Sequence, residues 1–256
     1  MQGLTSLQMR LDRVRFARAC GLDAPDPWQG LMLRSTHPRV IANCHRQSGK
    51  STVAALVALH QALFTPSSLA LLLSPTLRQS SELFRKCMAA YSRLDRPVRV
   101  RAESALRLEL VNGSRIISLP GESDNVRGYS RPDVVVLDEA ARVDPALLAA
   151  IRPMLAISRG RLMFLSTPDG MDPVFWEAWQ SEGEDWERYM VTAVECPRIT
   201  PAFLAQERRT LPAAVFAAEY LCEFRVSSSN LFRPEDVDAA FTDELQEMIF
   251  EGLNDV

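Results

Sequence analysis

The sequence lacks several features that would assign it to a special class of protein. It contains no uninterrupted apolar stretch of about 18 residues, so it predicts no membrane-spanning helix. Its five cysteines are dispersed and form no CxxC pair. This argues against a disulfide framework or a zinc cluster and favours reduced thiols in a cytosolic compartment. The first eighteen residues lack the apolar core and cleavage site of a secretory signal. The chain has 256 residues, 47% of them hydrophobic, enough for a sizeable globular core.

Lysine is also scarce. Of 29 cationic residues only Lys50 and Lys86 are lysines, which makes Lys50 a candidate for a specific role. The net charge of -3 is unevenly distributed, because residues 233–256 hold eight acids against one arginine. The rest of the chain is therefore mildly basic, which permits contact with nucleic acid without indicating it.

Apolar runs alternate with helical patterns along the chain. The runs predict buried strands at residues 40–42, 69–73, 134–137 and 162–165. The helical patterns lie at residues 50–64, 77–91, from about 145, at 173–180, and at 201–225 with a break at Pro212. Asn112 and Gly113 separate two further strand candidates, and both tolerate a positive φ, so they predict an antiparallel hairpin. Together these features predict an α/β domain with a mainly parallel central sheet flanked by helices, and this hairpin as an antiparallel excursion.

A phosphate-binding loop follows the first predicted strand. The string CHRQSGKST at 44–52 matches the pattern GxxxxGK[ST], except that Cys44 replaces the first glycine. The loop N–H groups and the positive end of a helix starting at Lys50 would form an anion cradle. Lys50 would contact the β- and γ-phosphates and the Ser51 hydroxyl would contact Mg²⁺. A chance GKS in a turn is the alternative. The predicted nucleotide-binding residues of the loop are Arg46, Gln47, Ser48, Gly49, Lys50, Ser51 and Thr52.

Two adjacent acids follow a later apolar strand, in the string VVVLDEA at 134–140. Asp138 could hold the water shell of Mg²⁺, and Glu139 could orient and deprotonate the attacking water. Acids that simply cap the next helix are the alternative. The two motifs occur in the expected order, each after an apolar strand and 88 positions apart. This combination predicts nucleotide hydrolysis.

Four further residues are candidates for the same site. Gln29 could bond the adenine edge, the alternative being a core Trp28 beside a surface Gln. Thr167 follows a strand of the parallel sheet at the end where ligands bind, so it could sense the γ-phosphate or simply cap a turn before proline. Arg46 and Arg127 could stabilise the charge of phosphoryl transfer, Arg46 within the chain and Arg127 in a neighbouring subunit.

Together these elements resemble the ATPase domain of the large terminase subunit of tailed bacteriophages, the motor that packs DNA into the capsid. The resemblance rests on PWQ at 27–29, RQSGKST at 46–52, SPTLRQSSELF at 74–84, RG at 127–128, VVVLDEAA at 134–141, LSTPDG at 165–170 and FAAEYLCEF at 216–224. It implies a P-loop NTPase fold of the ASCE type that binds ATP and Mg²⁺. It also implies that Ser51 and Asp138 bind the metal, that Glu139 is the catalytic base and that Thr167 belongs to the coupling element.

The same resemblance implies partners and a location. The expected partners are double-stranded DNA, bound without sequence preference, a portal protein and a terminase small subunit. The expected assembly is a pentameric ring in the cytoplasm of the bacterial host, without a membrane. Candidate DNA contacts are the arginines of residues 93–107 or the N-terminal helix, for both of which a solvated face is the alternative.

The expected domain organisation places the ATPase domain at residues 1–226, with an N-terminal helical segment at 1–37 and a linker and acidic tail at 227–256. Terminases of this kind usually continue into an RNase H-like nuclease domain, and the tail is too short for one. We therefore expect no DNA cleavage, whether the chain is an excised domain or the product of a gene that lost its nuclease half. Two alternatives stay open: another P-loop translocase or helicase-like ATPase, and an inactive prophage remnant acting as a binding module.

Overall fold

Helices and strands alternate along most of the chain. A computed structural model describes residues 3–170, 173–181 and 185–224. The α-helices of this part are α1 (Gly3–Leu11), α2 (Arg13–Ala19), α3 (Pro27–Arg34), α4 (Lys50–Phe64), α5 (Leu77–Arg93), α6 (Ser123–Val126), α7 (Pro145–Ser158), α8 (Pro173–Gln180), α9 (Pro201–Thr210) and α10 (Ala213–Leu221). The strands are β1 (Arg39–Cys44), β2 (Leu69–Ser74), β3 (Val100–Glu103), β4 (Arg107–Leu110), β5 (Arg115–Pro120), β6 (Val134–Asp138), β7 (Arg161–Ser166) and β8 (Glu187–Val191). Short 3₁₀ turns lie at Ala140–Arg142 and Ala193–Glu195.

The described strands form one sheet in the order β3-β4-β5-β2-β6-β7-β1-β8. All neighbours from β5 to β8 are parallel, whereas β3, β4 and β5 are antiparallel. Strand β7 lies between β1, which leads into the phosphate loop, and β6, which ends in the acidic pair. One strand placed between these two is the arrangement of the ASCE class. The predicted fold class, a mainly parallel sheet with an antiparallel excursion, is confirmed.

The predicted hairpin forms at Asn112 and Gly113. Gly113 has φ +84°, which favours glycine. The Ser114 N–H donates to Asn112 Oδ1 at 3.0 Å. The turn joins β4 to β5 in antiparallel register.

The hydrophobic core has two layers, one on each face of the sheet. Val134 and Val136 of β6 belong to one buried cluster, and Val135 and Leu137 belong to the other, because successive strand side chains point to opposite faces. Helices α4 and α5 cover the first face, with α1 to α3 outside α4. Helices α7 and α8 cover the second face. The strands of the sheet centre therefore read as continuous apolar runs.

Two strands were not predicted from the sequence, β3 and β8, which lie at the two edges of the sheet. β3 is largely exposed and β8 is only partly buried. Edge strands carry charged residues and bury little surface, so no apolar run reveals them.

No helix of the described ranges is both long and apolar enough to cross a membrane. The expected linker and acidic tail, residues 227–256, lie outside the described residues.

Candidate active site

The sheet topology brings three loops together. β6, β7 and β1 are adjacent and parallel, so their carboxyl ends lie at one edge of the sheet. The loop after β1 is the phosphate loop, Glu139 follows β6, and Thr167 follows β7. Since β7 lies between the other two strands, Thr167 lies between the phosphate loop and the acidic pair.

The phosphate loop passes into α4 through Gly49, whose φ of +93° lies in the left-handed region. The backbone conformation favours glycine here, and a Cβ atom at Gly49 would lie 2.6 Å from Gln29 Nε2 and so displace that amide. Gln29 Nε2 donates to the Ser48 carbonyl at 3.1 Å. Gln47 in the same loop has a positive φ of 61°, a strain that non-glycine residues tolerate mainly where the surrounding structure holds them.

Lys50 connects the three loops. Its Nζ atom donates to Thr167 Oγ1 at 3.0 Å and lies 3.1 Å from Glu139 Oε1. The Thr167 hydroxyl in turn donates to the Cys44 carbonyl at 2.9 Å. The Lys50 side chain is only 7% exposed, so its charge interacts with these partners with little screening by water. The structure thus brings together three of the predicted site residues, Lys50, Thr167 and Glu139.

The turn after β6 is held in place by Ser166, whose hydroxyl oxygen accepts from the Ala141 N–H at 3.1 Å. Glu139 itself adopts a left-handed conformation, with φ 57° and ψ 47°. This conformation is uncommon for glutamate and occurs preferentially at functional sites. It ends β6 abruptly and leaves the Glu139 carboxylate beside Lys50.

Asp138 has the surroundings of a cation ligand. Its carboxylate is buried, and Oδ1 has no hydrogen-bond partner within the part of the chain that the structure describes. Burial, and then the negative charge of Glu139, raise the pKa of the Asp138 carboxyl. The charge of Lys50 and a hydrogen bond with Ser51 act in the opposite direction. A buried, unpaired carboxylate oxygen is costly, so Asp138 and the Ser51 hydroxyl fit a bound Mg²⁺ ion.

A cleft of about 540 Å³ opens beside these groups. Its lining residues are Arg46, Gln47, Gly49, Lys50, Ser51, Gln79, Lys86, Glu139 and Arg142. A pocket of about 170 Å³ adjoins it at Ser51, Asp138 and Glu139. A larger cleft of about 720 Å³ lies against α7 and α8, and none of the predicted site residues lines it. The cleft at Lys50 is the candidate site, because residues of the phosphate loop and Glu139 line it and Asp138 lines the adjoining pocket.

Comparison with known proteins identifies the family. A family model for the N-terminal part of the large terminase subunit of T4likevirus type matches residues 44–238. The chain belongs to this family. The large terminase subunit of Thermus phage G20c is 26% identical over 240 residues, covering 80% of this chain and 49% of the relative. The chain thus spans about half the length of the curated relatives it matches.

Solved terminase structures show the same fold. The large terminase ATPase domain of Thermus phage P74-26 superposes with a TM-score of 0.70 at 25% identity, covering 79% of this chain and 94% of that chain. A large terminase from a thermophilic bacteriophage, solved in complex with ATP-γ-S, has a TM-score of 0.60 at 13% identity, covering 83% of this chain and 52% of that chain. The fold of this chain is therefore that of a terminase ATPase domain.

Of the two arginines predicted for catalysis, one lines the cleft at Lys50 and the other does not. Arg46 lines the cleft, and its Nε lies 2.7 Å from Glu219 Oε2 of α10. Arg127 follows α6, is 68% exposed, and lies 3.7 Å from Asp124. Arg127 does not line the cleft at Lys50, so the structure does not bring it to the site of its own chain.

Three other predicted nucleotide-binding residues, Gln29, Ser48 and Thr52, do not line the cleft. Gln29 and Ser48 are buried. Gln29 uses both ends of its amide within the chain, because its Oε1 also accepts from the Asp26 N–H at 2.9 Å. The structure thus gives Gln29 a contact with the loop, and its contact with adenine stays a prediction.

Sequence reasoning missed three residues that line the terminase cleft: Gln79, Lys86 and Arg142. The rarity of lysine, which singled out Lys50, applies equally to Lys86. Arg142 follows the acidic pair by one 3₁₀ turn, and its Nε lies 2.8 Å from Asp169 Oδ2 in the loop after β7. Gln79 lies in the string SPTLRQSSELF that carries the resemblance, but that string assigned it no role, and the packing of α5 beside α4 places it at the cleft.

Proposed function

We propose that this terminase chain is an ATP-hydrolysing motor domain that couples ATP turnover to translocation of double-stranded DNA into a procapsid. The observation that carries the proposal is the convergence on Lys50 Nζ, which lies 3.0 Å from Thr167 Oγ1 and 3.1 Å from Glu139 Oε1. Membership of the terminase family supports the coupling to DNA packaging. The related terminase in complex with ATP-γ-S supports ATP as the nucleotide.

The ion pair between Lys50 and Glu139 suggests how the chain controls its base. Phosphate oxygens compete with the Glu139 carboxylate for the Lys50 ammonium, so binding of a triphosphate releases Glu139. The freed carboxylate then accepts a proton from the water that attacks the γ-phosphorus, and the products are ADP and phosphate. Thr167 is bonded to both Lys50 and the Cys44 carbonyl, so loss of the γ-phosphate is transmitted to β1 and β7.

Ser51 and Asp138 would hold Mg²⁺, which when bound neutralises charge on the β- and γ-phosphates. Arg46 lines the cleft and stabilises the charge that develops on the phosphoryl group within the chain. Its ion pair with Glu219 links the phosphate loop to α10, at the end of the described residues. Arg127 is exposed and would complete the site of a neighbouring subunit.

The proposed partners follow from the terminase family. They are double-stranded DNA, a portal protein, a terminase small subunit and further copies of this chain in a pentameric ring, all in the cytoplasm of the bacterial host. Contacts to DNA would be to its phosphates, so binding should weaken steeply as salt concentration rises.

The direct test of the proposal is Glu139→Gln. The variant should bind ATP at least as tightly as the parent chain, because it removes a competitor for the Lys50 ammonium. Its turnover should fall by about 10²- to 10⁴-fold, because the amide cannot accept the proton. ATP affinity is measured by calorimetry and turnover by phosphate release.

Glu177→Gln is the matched control, since Glu177 is an acid that lines the larger cleft at α8 and not the cleft at Lys50. It should leave both quantities unchanged. Turnover of Glu139→Gln at the parent rate would remove Glu139 as the base and with it the proposed mechanism.

A further inference from the structure

One face of α5 borders the candidate active site and has no assigned function. Arg78, Gln79, Glu82, Leu83 and Lys86 line the smaller pocket together with Ser51, Asp138 and Glu139. The spacing of Gln79, Glu82 and Lys86 places them on one side of the helix. Lys86 also lines the larger cleft at the phosphate loop, so it borders both spaces.

The charges of the cleft are paired, with one exception. Four cations line it: Arg46, Lys50, Lys86 and Arg142. Lys50 pairs with Glu139 at 3.1 Å, Arg46 with Glu219 at 2.7 Å and Arg142 with Asp169 at 2.8 Å. Lys86 makes no ion pair or hydrogen bond with any residue of the described ranges.

The acid best placed to neutralise Lys86 is used elsewhere. Glu82 lies one turn earlier on α5, at a spacing that favours an ion pair with Lys86. It instead pairs with Arg85 at 2.9 Å, and the Arg85 side chain is 71% exposed. The Lys86 ammonium thus faces the cleft without a carboxylate of its own.

Lys86 lies on the hydrolysis side of the site. It borders the pocket that contains Glu139 and the proposed metal ligands Ser51 and Asp138. The γ-phosphate has to lie at this side, because Glu139 activates the water that attacks it.

The composition of the chain also supports a contact between Lys86 and phosphate. Only two of its 29 cationic residues are lysines, and both line this cleft. An ammonium is a compact charge with three rotatable donors on a flexible stem, whereas a guanidinium is a rigid planar fork. A lysine suits a phosphate oxygen that approaches from a variable direction.

We propose that Lys86 is a second lysine ligand of the bound triphosphate, which contacts the γ-phosphate from α5. The inference rests on the proposed function, because it places a triphosphate in the cleft at Lys50. Lys86 then distinguishes ATP from ADP, since only ATP offers it a γ-phosphate.

The test is Lys86→Met in the full chain, with ATP and ADP affinities measured separately by calorimetry in the presence of Mg²⁺. Methionine keeps most of the aliphatic stem of an exposed side chain, so the fold should be retained. ATP affinity should fall by about 10- to 100-fold, the range of a hydrogen bond to a charged group. ADP affinity should change by less than about twofold. Lys86→Arg should restore part of the ATP affinity, because it returns the charge without the ammonium geometry.

Arg208→Ala on α9 is the control, since Arg208 is an exposed cation that lines neither space and does not pair with Glu82. It should leave both affinities unchanged. An equal loss of ATP and ADP affinity in Lys86→Met, or no loss of either, would overturn the assignment.

Lys50→Ala separates this failure from failure of the proposed function. If Lys50→Ala abolishes ATP binding while Lys86→Met does not weaken it, only the role of Lys86 is lost. If neither variant weakens ATP binding, the cleft is not a nucleotide site.

Discussion

The Gln29 side chain joins the start of α3 to the phosphate loop. Its Nε2 donates to the Ser48 carbonyl at 3.1 Å and its Oε1 accepts from the Asp26 N–H at 2.9 Å. Asp26 and Gln29 together form the capping box of α3, which fixes the side chain before any ligand binds. Gln29 is 3% exposed, so both contacts are made away from water. These contacts make Gln29 a positioning residue for the loop.

Gln29→Ala should lower the affinity for ATP and for GTP by a similar factor. The substitution leaves a buried carbonyl and a buried N–H unpaired, at a cost of about 1–3 kcal/mol each, and the loop that binds the phosphates is common to both nucleotides. Calorimetry with each nucleotide measures the two factors, with Gln180→Ala at the exposed end of α8 as a control. A loss confined to ATP would show that Gln29 acts mainly by contacting adenine.

Helix α4 connects the candidate site to the N-terminal helices. It begins at Lys50 and is buried along most of its length, because the sheet and α5 cover one side and α2 and α3 contact the other. Near its other end His60 packs against the rings of Phe16 and Phe64, with centroids 5.1 and 4.8 Å away. His60 Nε2 lies 3.1 Å from the Met9 carbonyl, so it also contacts α1.

Acid should destabilise the chain through His60. Burial, with a smaller effect of the Arg13 charge, lowers the pKa of His60 from 6.5 to about 4. The unfolded chain therefore binds more protons between these pH values, and stability that is complete above pH 6.5 is lost as the pH falls towards 4. The full loss is about 3 kcal/mol in the free energy of unfolding.

Urea unfolding at pH 7, 5 and 4 measures this loss, and His60→Gln is the comparison. Glutamine can still donate to the Met9 carbonyl but does not titrate, so the variant should lose less stability between pH 7 and 4. Part of the dependence should remain, because burial also lowers the pKa of His45 in the phosphate loop. Identical pH profiles of the two proteins would contradict the assignment to His60.

The proposed role of Arg127 depends on assembly of several copies of the chain. The residue lies at the end of α6 with its side chain 68% exposed, and a Cβ at the neighbouring Gly128 would contact nothing within 4 Å. Its 3.7 Å contact with Asp124 is an exposed ion pair, which contributes little stability. Arg127 is therefore available to a second copy of the chain, as the proposed ring requires.

Arg127→Ala should lower ATP turnover of the assembled motor by about 10³-fold or more, the effect of an arginine that acts between subunits. ATP affinity should be unchanged, since Arg127 does not line the cleft of its own chain. Turnover is compared between assembled motor and dilute chain, with Arg208→Ala on α9 as the exposed control. An equal loss of turnover in the dilute chain would show that Arg127 acts within its own chain or only structurally.

The residues proposed for catalysis could be selected from the sequence because their signals are local. Gly49, Lys50 and Ser51 are contiguous, and so are Asp138 and Glu139. Each group directly follows an apolar strand, so the chemistry and the supporting element are read from the same short window. The hairpin was predicted for the same reason, since Asn112 and Gly113 alone specify a tight turn. Edge strands β3 and β8 have no such signal, because they bury little apolar surface.

The sequence by itself determined which groups we propose for the chemistry: the ammonium of Lys50, the carboxylates of Asp138 and Glu139 and the hydroxyls of Ser51 and Thr167. Only the tertiary structure decided what surrounds them. The order of β6, β7 and β1 brings Glu139 and Thr167 to Lys50, the packing of α5 on α4 brings Lys86 to the cleft, and α3 brings Gln29 to the loop. These contacts join residues far apart in the chain, and they depend on strand order and helix packing, which no short stretch of sequence encodes.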